Sequence, residues 1–574
     1  MSLQNMRWII RSQELNAEIL NLSRQLNFLP EFTAVLYNRG IRTFEDARRF
    51  FKPKREDLYD PYLLKDLDKA VEHLINAMKK GFKIMFYGDY DVDGTTSVAL
   101  MSRFFKEVYS NFVTYIPDRY TEGYGLTPTG IDYAKKSGVD TIVALDCGIK
   151  SIELAEEIRK AGMHLIIIDH HTPGPVIPEA AAVVDAKRPD CTYPFDELSA
   201  CAVAFKVIWA LSDYLNIHKE KVFNLLDLVA VSIGADMVPL RDENRILMKL
   251  GLDILNDNPK PGFSAIIKTS GIRSQVTSHH VGFVIGPRIN AAGRIDHAHI
   301  ALDLLTTDDM QKAFEIADHI ERLNSDRKEI QDRIAAQAID IVRNNPEKYE
   351  SAIVICGSTW LKGVVGIVAA RLVEEFYKPS VVCTESHGKL VGSARSIQNL
   401  NIYDALEHCR EYLCQFGGHS QAAGVTLLPE NFERFSSAFS TRVSSLVPDS
   451  QRQKILMAEA ELLLKHIDEK FIRLSTQHIQ PTGFGNPTPL YASKNLTVLP
   501  NSHLMGRNGE HIRLFLSEEN SSEVKEAVWF SKAQYFEQIK AAKSIDVVYR
   551  VEINEYNNQR KTQLKIEDIA LSGH

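Results

Sequence analysis

Short, wholly apolar runs that each stop at an aspartate are the most regular pattern in the chain: KIMFYGD ends at Asp89, TIVALD at Asp146 and HLIIID at Asp169. Runs of this length, rich in β-favouring residues and lacking polar alternation, predict strands buried on both faces. Between them, 95–109 and 151–160 carry apolar residues at helical spacing, so the predicted unit is a repeated β-α-β with a parallel sheet. In open sheets of this kind the ligand crevice lies beyond the carboxyl ends of the strands. The three aspartates are therefore expected to converge on one edge.

Elsewhere the pattern changes by region. Residues 1–70 read as amphipathic helices broken by turns at Pro30, Gly40, Pro53 and Pro61. The segment FNLLDLVAVSIGADMVPL, 223–240, predicts an apolar helix whose face is interrupted by Asp227. From 306 to 343 a charged helical pattern, too polar for a core, predicts a helix connecting two domains. A second α/β unit opens at SAIVICG, 351–357, and runs to 445. Beyond a Pro- and Gly-punctuated join, LTVLP, IRLFL, IDVVYRVEIN and QLKIEDIAL alternate at strand spacing, which predicts a small β-barrel of the oligonucleotide-binding (OB-fold) kind. The fold class is thus α/β, with two α/β domains joined by a long helix and a C-terminal OB-fold barrel. The expected divisions are a helical region at 1–72, a first α/β domain at 73–305, the connecting helix at 306–345, a second α/β domain at 346–445, and the join with the barrel at 446–574.

Composition narrows the class. Hydrophobic residues at 44% and charged residues at 25% give the balance of a globular protein and exclude a mostly disordered chain. Lys and Arg total 67 against 74 Asp and Glu, a net charge of −7, which by itself argues against a generic nucleic-acid binder. The seven cysteines contain no Cys-x-x-Cys pair, so neither a disulfide framework nor a structural zinc site is expected, and the compartment is read as reducing. The opening MSLQNMRWII turns polar too soon for a signal-peptide core, and no run reaches the length of about 18 apolar residues that a membrane helix needs. A cytoplasmic protein without membrane contact is expected.

Candidate chemistry gathers at the strand ends. GDYDVDG, 88–94, places Asp89, Asp91 and Asp93 before a helix start at Thr95, although a turn and a helix cap use the same residues. Asp146 in DCGIK is likewise a possible helix cap. Asp169-His170-His171 ends an apolar strand, so one imidazole can ligate a metal while the other faces a substrate. Asp227 lies inside an apolar helix and needs a partner, either a bound cation or a buried Arg. Together these acids and histidines make an oxygen-rich site suited to Mn2+ or Mg2+ rather than to thiophilic metals. Two divalent ions flanking a phosphorus centre imply hydrolysis of a phosphoester or phosphoanhydride.

These residues carry a family resemblance. GDYDVDG, LDCG, IDHH and LDLVAVSIGADMVPL resemble the four motifs of the DHH phosphoesterase superfamily, and GSARS at 392–396 with FGGHSQAAG at 416–424 resemble its associated DHHA1-type domain. Within the superfamily the chain is most similar to the bacterial RecJ family of single-strand-specific 5′ to 3′ DNA exonucleases. That similarity rests on NRGIRTFEDARRF near 38, IPDRYTEGYGL at 116–126, AVAFK at 202–206, GFVIGPRINAAGR at 282–294 and GVVGIVAARL from 363, and covers almost the whole chain.

The resemblance implies two metals, one on Asp91 and Asp146 with Asp89, the other on Asp93, Asp146, His170 and Asp227, with Asp146 bridging. The attacking hydroxide is then generated between the metals, without a separate general base. His171 contacts the scissile phosphate, and Asp169 orients the histidine pair. For the DNA, the resemblance points to Ser393, Arg395 and Ser396, to Gly417, Gly418 and His419, and to Arg288, Asn290 and Arg294. It points further to Arg119, Tyr120 and Tyr124, and in the barrel to Arg507, Arg513 and Phe515. Interdomain salt bridges, a plain turn at the glycines, an aromatic-anchored loop at 119–124 and a core position for Phe515 are the structural alternatives. Three departures stand out: Trp360-Leu361-Lys362-Gly363 replaces a His-containing WHxGV segment, so a phosphate contact there passes to Lys362 or is absent. Asp185-Ala186 replaces an Asn-Pro, and the loop before the barrel is shortened to TGFGNP at 482–487.

The function implied is a single-stranded-DNA exonuclease of recombination and repair that releases 5′-mononucleotides from a strand held in a narrow groove between the α/β domains. Pyrophosphatases, oligoribonucleases and cyclic-dinucleotide hydrolases of the superfamily are the alternatives, and they need neither the barrel nor GPRINAAGR. A non-catalytic replication scaffold would have lost motif carboxylates, and none is missing here. By family, single-strand-binding protein and a RecQ-type helicase are expected partners of a monomer. The charge then reads differently: 258–295 holds Lys260, Lys268, Arg273, Arg288 and Arg294 with no acid, and 386–403 holds Lys389 and Arg395 with none, so a confined basic groove is expected on an acidic exterior.

Overall fold

The structure, a computed structural model, describes residues 2–11, 15–448, 452–519, 521–556 and 559–572. The chain forms two compact units. One comprises Arg48–Arg327 with Pro481–Pro487; the other comprises Met1–Ala47, Lys328–Gln480 and Thr488–His574. The N-terminal stretch expected as one helical region is thus shared between them.

The first unit is built on a five-stranded parallel sheet in the order Phe112–Tyr115, Ile84–Gly88, Thr141–Leu145, His164–Ile168, Ala182–Val184. Every residue of Ile84–Gly88 and Thr141–Leu145 is buried, as the unbroken apolar runs require. Alternate side chains serve opposite faces. Ile84, Phe86, Val143 and Ile166 pack with Leu74, Leu100, Phe105 and Val203 of helices Leu67–Lys80, Val92–Val108 and Ala200–Tyr214. Met85, Tyr87, Ile142 and Ile167 pack with Ile131, Ala134 and Ile158 of helices Pro128–Lys136 and Ile152–Lys160. The sheet is therefore covered on both sides, and its functional groups emerge only at the strand ends.

The second unit holds a five-stranded mixed sheet, ordered Gln415–Gly418, Ala422–Leu427, Lys389–Arg395, Ser380–Ser386, Ile353–Gly357, in which the last pair is parallel. It also holds the barrel, in which Tyr491–Val498, Ser544–Tyr556, Gln559–Ser572, Val524–Trp529 and His511–Ser517 follow one another and close through Thr497 opposite Ser517. The charged helix runs from Met310 to Arg343 and contributes to both units. One expectation fails at the start of the chain, where Arg7–Ile10 is a strand paired in parallel with Ile455–Ala458 rather than part of a helical region. Its alternating exposure suits an edge position, and Trp8 Nε1 donates to the buried carboxylate of Asp568 at 2.8 Å, a partner a helix prediction cannot see.

Candidate metal centre

Register brings the acids together. Gly88 pairs with Leu145 and Leu145 with Ile168, so Asp89, Asp146 and Asp169 leave adjacent strands side by side. Helix Val92–Val108 then starts immediately, with Asp91 capping it by accepting the Gly94 N–H at 3.1 Å. A Cβ at Gly94 would collide with the Asp89 backbone, so only glycine lets the helix turn back over the strand end. Asp93, in the first turn, is fixed by the N–H groups of Ala200 (2.8 Å) and Cys201 (2.9 Å) and by the Ser232 hydroxyl (2.7 Å). Asp146 has a left-handed backbone, φ 62°, of the kind that persists where the surroundings impose it.

Three overlapping groups result, each with one ligand atom per residue within 4.8 Å of the others: Asp89, Asp91 and Asp146; Asp146, His170 and His171; Asp93, His170 and Asp236. Asp146 joins the first two and His170 the last two. His170 Nε2 lies 3.2 Å from Asp146, 3.6 Å from Asp93 and 3.7 Å from Asp236. Asp89 Oδ2 and Asp146 Oδ1 are buried and accept no hydrogen bond from the described residues. Burial, and after it the neighbouring carboxylates, push Asp89, Asp146 and Asp236 well above the usual carboxylate range and Asp93 up to about 6. Crowded buried acids with orphaned oxygens are a donor set that a hard divalent cation completes.

Asp169 does a different job. Its carboxylate accepts the N–H groups of Ile149 (3.0 Å), His170 (2.8 Å) and His171 (3.2 Å) and the His171 Nδ1–H at 2.8 Å. Burial alone would raise its pKa, but the hydrogen bond and charge of His171 hold it well below the usual range. Conversely, burial would lower His171, and the bond to Asp169 overrides it to about 9. His170, depressed to about 3 by burial and by His171, is neutral and able to ligate. The Tyr124 hydroxyl donates to the Asp146 carbonyl at 3.1 Å and lies 3.2 Å from His171 Nε2, which places Tyr124 at the centre.

Asp227 does not join this cluster. Lys260 Nζ lies 2.7 Å from each of its oxygens, so the buried acid has its cation in a lysine side chain. Asp236, at the end of the same helix Leu226–Ala235, takes the place expected for it. The two are nine positions apart, about 2.5 helical turns, and so face opposite ways. That phase separates the acid that meets His170 from the one that meets Lys260, and Ser232, four positions before Asp236, lies on the side that meets Asp93.

Arg288 is engaged in a paired contact to Glu321, at 2.6 and 3.0 Å, and donates to the Val284 carbonyl. The pair lies within one unit, whereas the alternative expected for Arg288 is an interdomain bridge. With Lys260 bound to Asp227, two of the five cations in 258–295 serve internal acids, and the basic groove expected there is correspondingly weaker. Arg119 donates to the Gly293 carbonyl at 3.0 Å and stacks 3.9 Å over Tyr90, while Tyr120 donates to the Arg294 carbonyl. Asn290, on helix Gly286–Ile295, keeps a buried Oδ1 without a partner among the described residues. Asp185 is buried beside Asp169, accepts the Lys187 N–H at 2.7 Å, and is pushed up to about 7 by burial and then by Asp169.

In the second unit, Arg395 is half-buried, its pKa lowered by burial, and it has no ion-pair partner among the described residues. Its guanidinium donates to Ser393 Oγ (2.7 Å) and the Ala394 carbonyl (2.8 Å), and it reaches the start of helix Val365–Phe376, where a Cβ at Gly366 would lie 3.0 Å from it. Ser396 instead donates to the Leu400 carbonyl, so its hydroxyl is turned into its own loop. Gly418 ends a strand at φ 149°, and the His419 N–H closes an exposed hairpin on Ala422. Lys362 lies half-buried in the turn before the helix. In the barrel, Phe515 shares the half-exposed face of its strand with Arg513, opposite the core residues Ile512, Leu514 and Leu516, and so is not a core residue; Arg507 lies in an exposed turn.

Comparison with known proteins agrees with this layout. Family models match for the DHH family N-terminal domain over residues 83–233, the DHHA1 domain over 349–445 and the RecJ OB domain over 458–568. The chain is 36% identical over 571 residues to the single-stranded-DNA-specific exonuclease RecJ of Bacillus subtilis (strain 168), covering 99% of this chain and 71% of that protein. It is 31% identical over 562 residues to the protein of the same description from Salmonella typhimurium, covering 94% and 96%. Among solved structures, RecJ in complex with Mn2+ from Thermus thermophilus superposes with a TM-score of 0.84 at 25% identity, covering 100% of this chain and 80% of that one. The Mg2+ complex from the same organism gives 0.76 at 24% identity, covering 98% and 78%. Identity of 31–36% sustained along nearly the full length, with the DHH, DHHA1 and RecJ OB models matched in succession, means that the chain belongs to the RecJ family of DHH phosphoesterases.

Proposed function

We propose that this protein is a single-stranded-DNA-specific exonuclease that hydrolyses phosphodiester bonds from the 5′ end and releases 5′-mononucleotides, in DNA recombination and repair. The observation that carries the reading is the sharing of Asp146 between two ligand groups, which suits a pair of divalent cations. When bound, Mn2+ or Mg2+ ions lower the pKa of water and offset charge that builds on the phosphorus. Asp89, Asp91 and Asp146 would hold one ion; Asp93, Asp146, His170 and Asp236 the other.

The protein groups have separable tasks. His170 enters neutral, with its Nε2 turned to the carboxylates. Asp169 keeps a proton on His171 Nδ1, which leaves Nε2–H to donate to a phosphate oxygen. Arg395 with Ser393 offers a fork for a phosphate of the strand, and its half-buried charge, without an ion-pair partner among the described residues, supports that role. In this reading hydrolysis belongs to 73–305, strand binding to 346–445 and 446–574, and 306–345 connects them. Family membership supports single-strand-binding protein and a RecQ-type helicase as partners, a monomeric state and a cytoplasmic site of action. Among the described residues no helix is long and apolar enough to cross a membrane.

The test offers 5′-labelled single strands, duplexes and pyrophosphate with Mn2+. Mononucleotides from single strands alone are expected; a preference for pyrophosphate overturns the reading.

A further inference from the structure

Three large apolar side chains stand open around the segment that supplies Asp236. Met237 follows it directly, is 60% exposed, and has a left-handed backbone at φ 57°. Phe484, also 60% exposed, lies in the short segment Pro481–Pro487, which docks on the same turn. Its carbonyl accepts the Leu240 N–H at 2.7 Å, and a Cβ at Gly485 would lie 2.9 Å from Pro239. Phe283, 67% exposed, belongs to the π-helical turn Val281–Ile285. That turn packs on the end of the Asp236 helix, where a Cβ at Gly282 would lie 3.1 Å from the Gly234 carbonyl and one at Gly286 2.9 Å from Ala235.

Single exposed apolar residues need no explanation. Three of them on segments that meet at 234–240, a stretch that also supplies Asp236, 3.7 Å from His170, and one of them on strained backbone, do need one. A nucleic-acid strand with a phosphate at the metal centre brings its own apolar surface there, namely the faces of its bases. In a duplex those faces are stacked away; in a single strand they are available, and aromatic or thioether surfaces receive any base without reading its sequence.

We propose that Met237, Phe283 and Phe484 form a platform for the unpaired bases next to the phosphate held at the metal centre, and that this contact contributes to the choice of single over double strands. The proposal rests on the exonuclease reading above. It deepens that reading by assigning part of the specificity to base faces rather than to phosphates.

The full chain with Mn2+ is assayed on a 5′-phosphorylated single strand and on the same strand with abasic residues at its first positions. On the base-bearing strand, Phe484→Ala, Phe283→Ala and Met237→Ala are each expected to raise KM by about tenfold. The abasic strand should raise the wild-type KM similarly, and the variant and abasic effects should not multiply. Should an alanine variant fold poorly, Phe484→Trp carries the test, with tighter binding of the base-bearing strand and no gain on the abasic one. Equal factors on both strands, or unchanged KM in all three alanine variants, overturn the platform. A wild type that cleaves both strands with one KM overturns the platform alone, whereas one that cleaves neither overturns the exonuclease reading with it.

Discussion

Lys260 closes a buried ion pair with Asp227, its ammonium 2.7 Å from both carboxylate oxygens, on the side of helix Leu226–Ala235 opposite to Asp236. Removing one partner of a buried pair strands the other charge, at a typical cost of about 3–5 kcal/mol. Asp227→Ala should therefore destabilise the protein by about 3 kcal/mol and leave Mn2+ binding intact. Asp236→Ala should do the reverse, weakening Mn2+ binding and activity while keeping or raising the metal-free melting temperature. Denaturant melts and calorimetric Mn2+ titrations of the two variants decide the point; a stable Asp227→Ala protein that no longer binds Mn2+ would return Asp227 to the metal centre.

The metal-free acids at the strand ends work against folding at neutral pH. Asp93 is raised to about 6 by burial and by Asp91, and Asp89, Asp146 and Asp236 are also raised, so the folded chain binds protons that the unfolded chain releases. The penalty is complete above the folded pKa values and disappears as pH falls toward the ordinary carboxylate value of 3.8. A divalent cation offsets the same charge. Mn2+ should consequently raise Tm more at pH 7.5 than at pH 5.5, and Asp146→Asn should raise the metal-free Tm while abolishing cleavage. Equal Mn2+ shifts at the two pH values would show that the acids are not the group the ion relieves.

Much of the sheet and its acidic edge is legible in the sequence because fully buried strands leave unbroken apolar runs, and Asp89, Asp146 and Asp169 mark where each run ends. What composition and motif reading miss is phase and pairing. Asp227 and Asp236 stand in one helical segment, and only counting about 2.5 turns between them separates the acid that faces a lysine from the acid that faces His170. Arg288 and Lys260 look like free cations in a stretch without acids, but their partners, Glu321 and Asp227, come from outside that stretch. The Arg7–Ile10 strand is invisible for the same reason, since its mate lies near residue 455.

Asp169 sets the protonation of His171. The hydrogen bond at 2.8 Å and the adjacent charge carry His171 to about 9 although burial works the other way. A raised histidine is protonated below its folded pKa and loses its charge as pH climbs through it, so the alkaline limb of the rate profile reports this group. In Asp169→Asn the carboxylate charge is gone, and that limb should move to lower pH by at least about one unit. His171→Gln should lower kcat and remove the limb. Steady-state profiles of the three proteins at saturating Mn2+ provide the check; a limb that stays in place in Asp169→Asn would rule out His171 as its source.

Arg395 tests the strand-binding reading from the side of stability. Burial lowers its pKa, no carboxylate among the described residues pairs with it, and its guanidinium donates to Ser393 Oγ and the Ala394 carbonyl. A half-buried cation without an anion carries a desolvation cost in the free protein, and a phosphate that supplies the anion recovers it on binding. Arg395→Met should accordingly keep or raise Tm while raising KM for a 5′-phosphorylated strand by about 100-fold, the scale of a charge-assisted paired contact. Arg395→Lys should recover only part of the affinity, because a point charge cannot reproduce the fork. The informative comparison is the salt dependence of KM: loss of one phosphate contact should flatten its slope by close to one contact's share. A variant with lower Tm and an unchanged slope would make Arg395 a structural residue of its sheet instead.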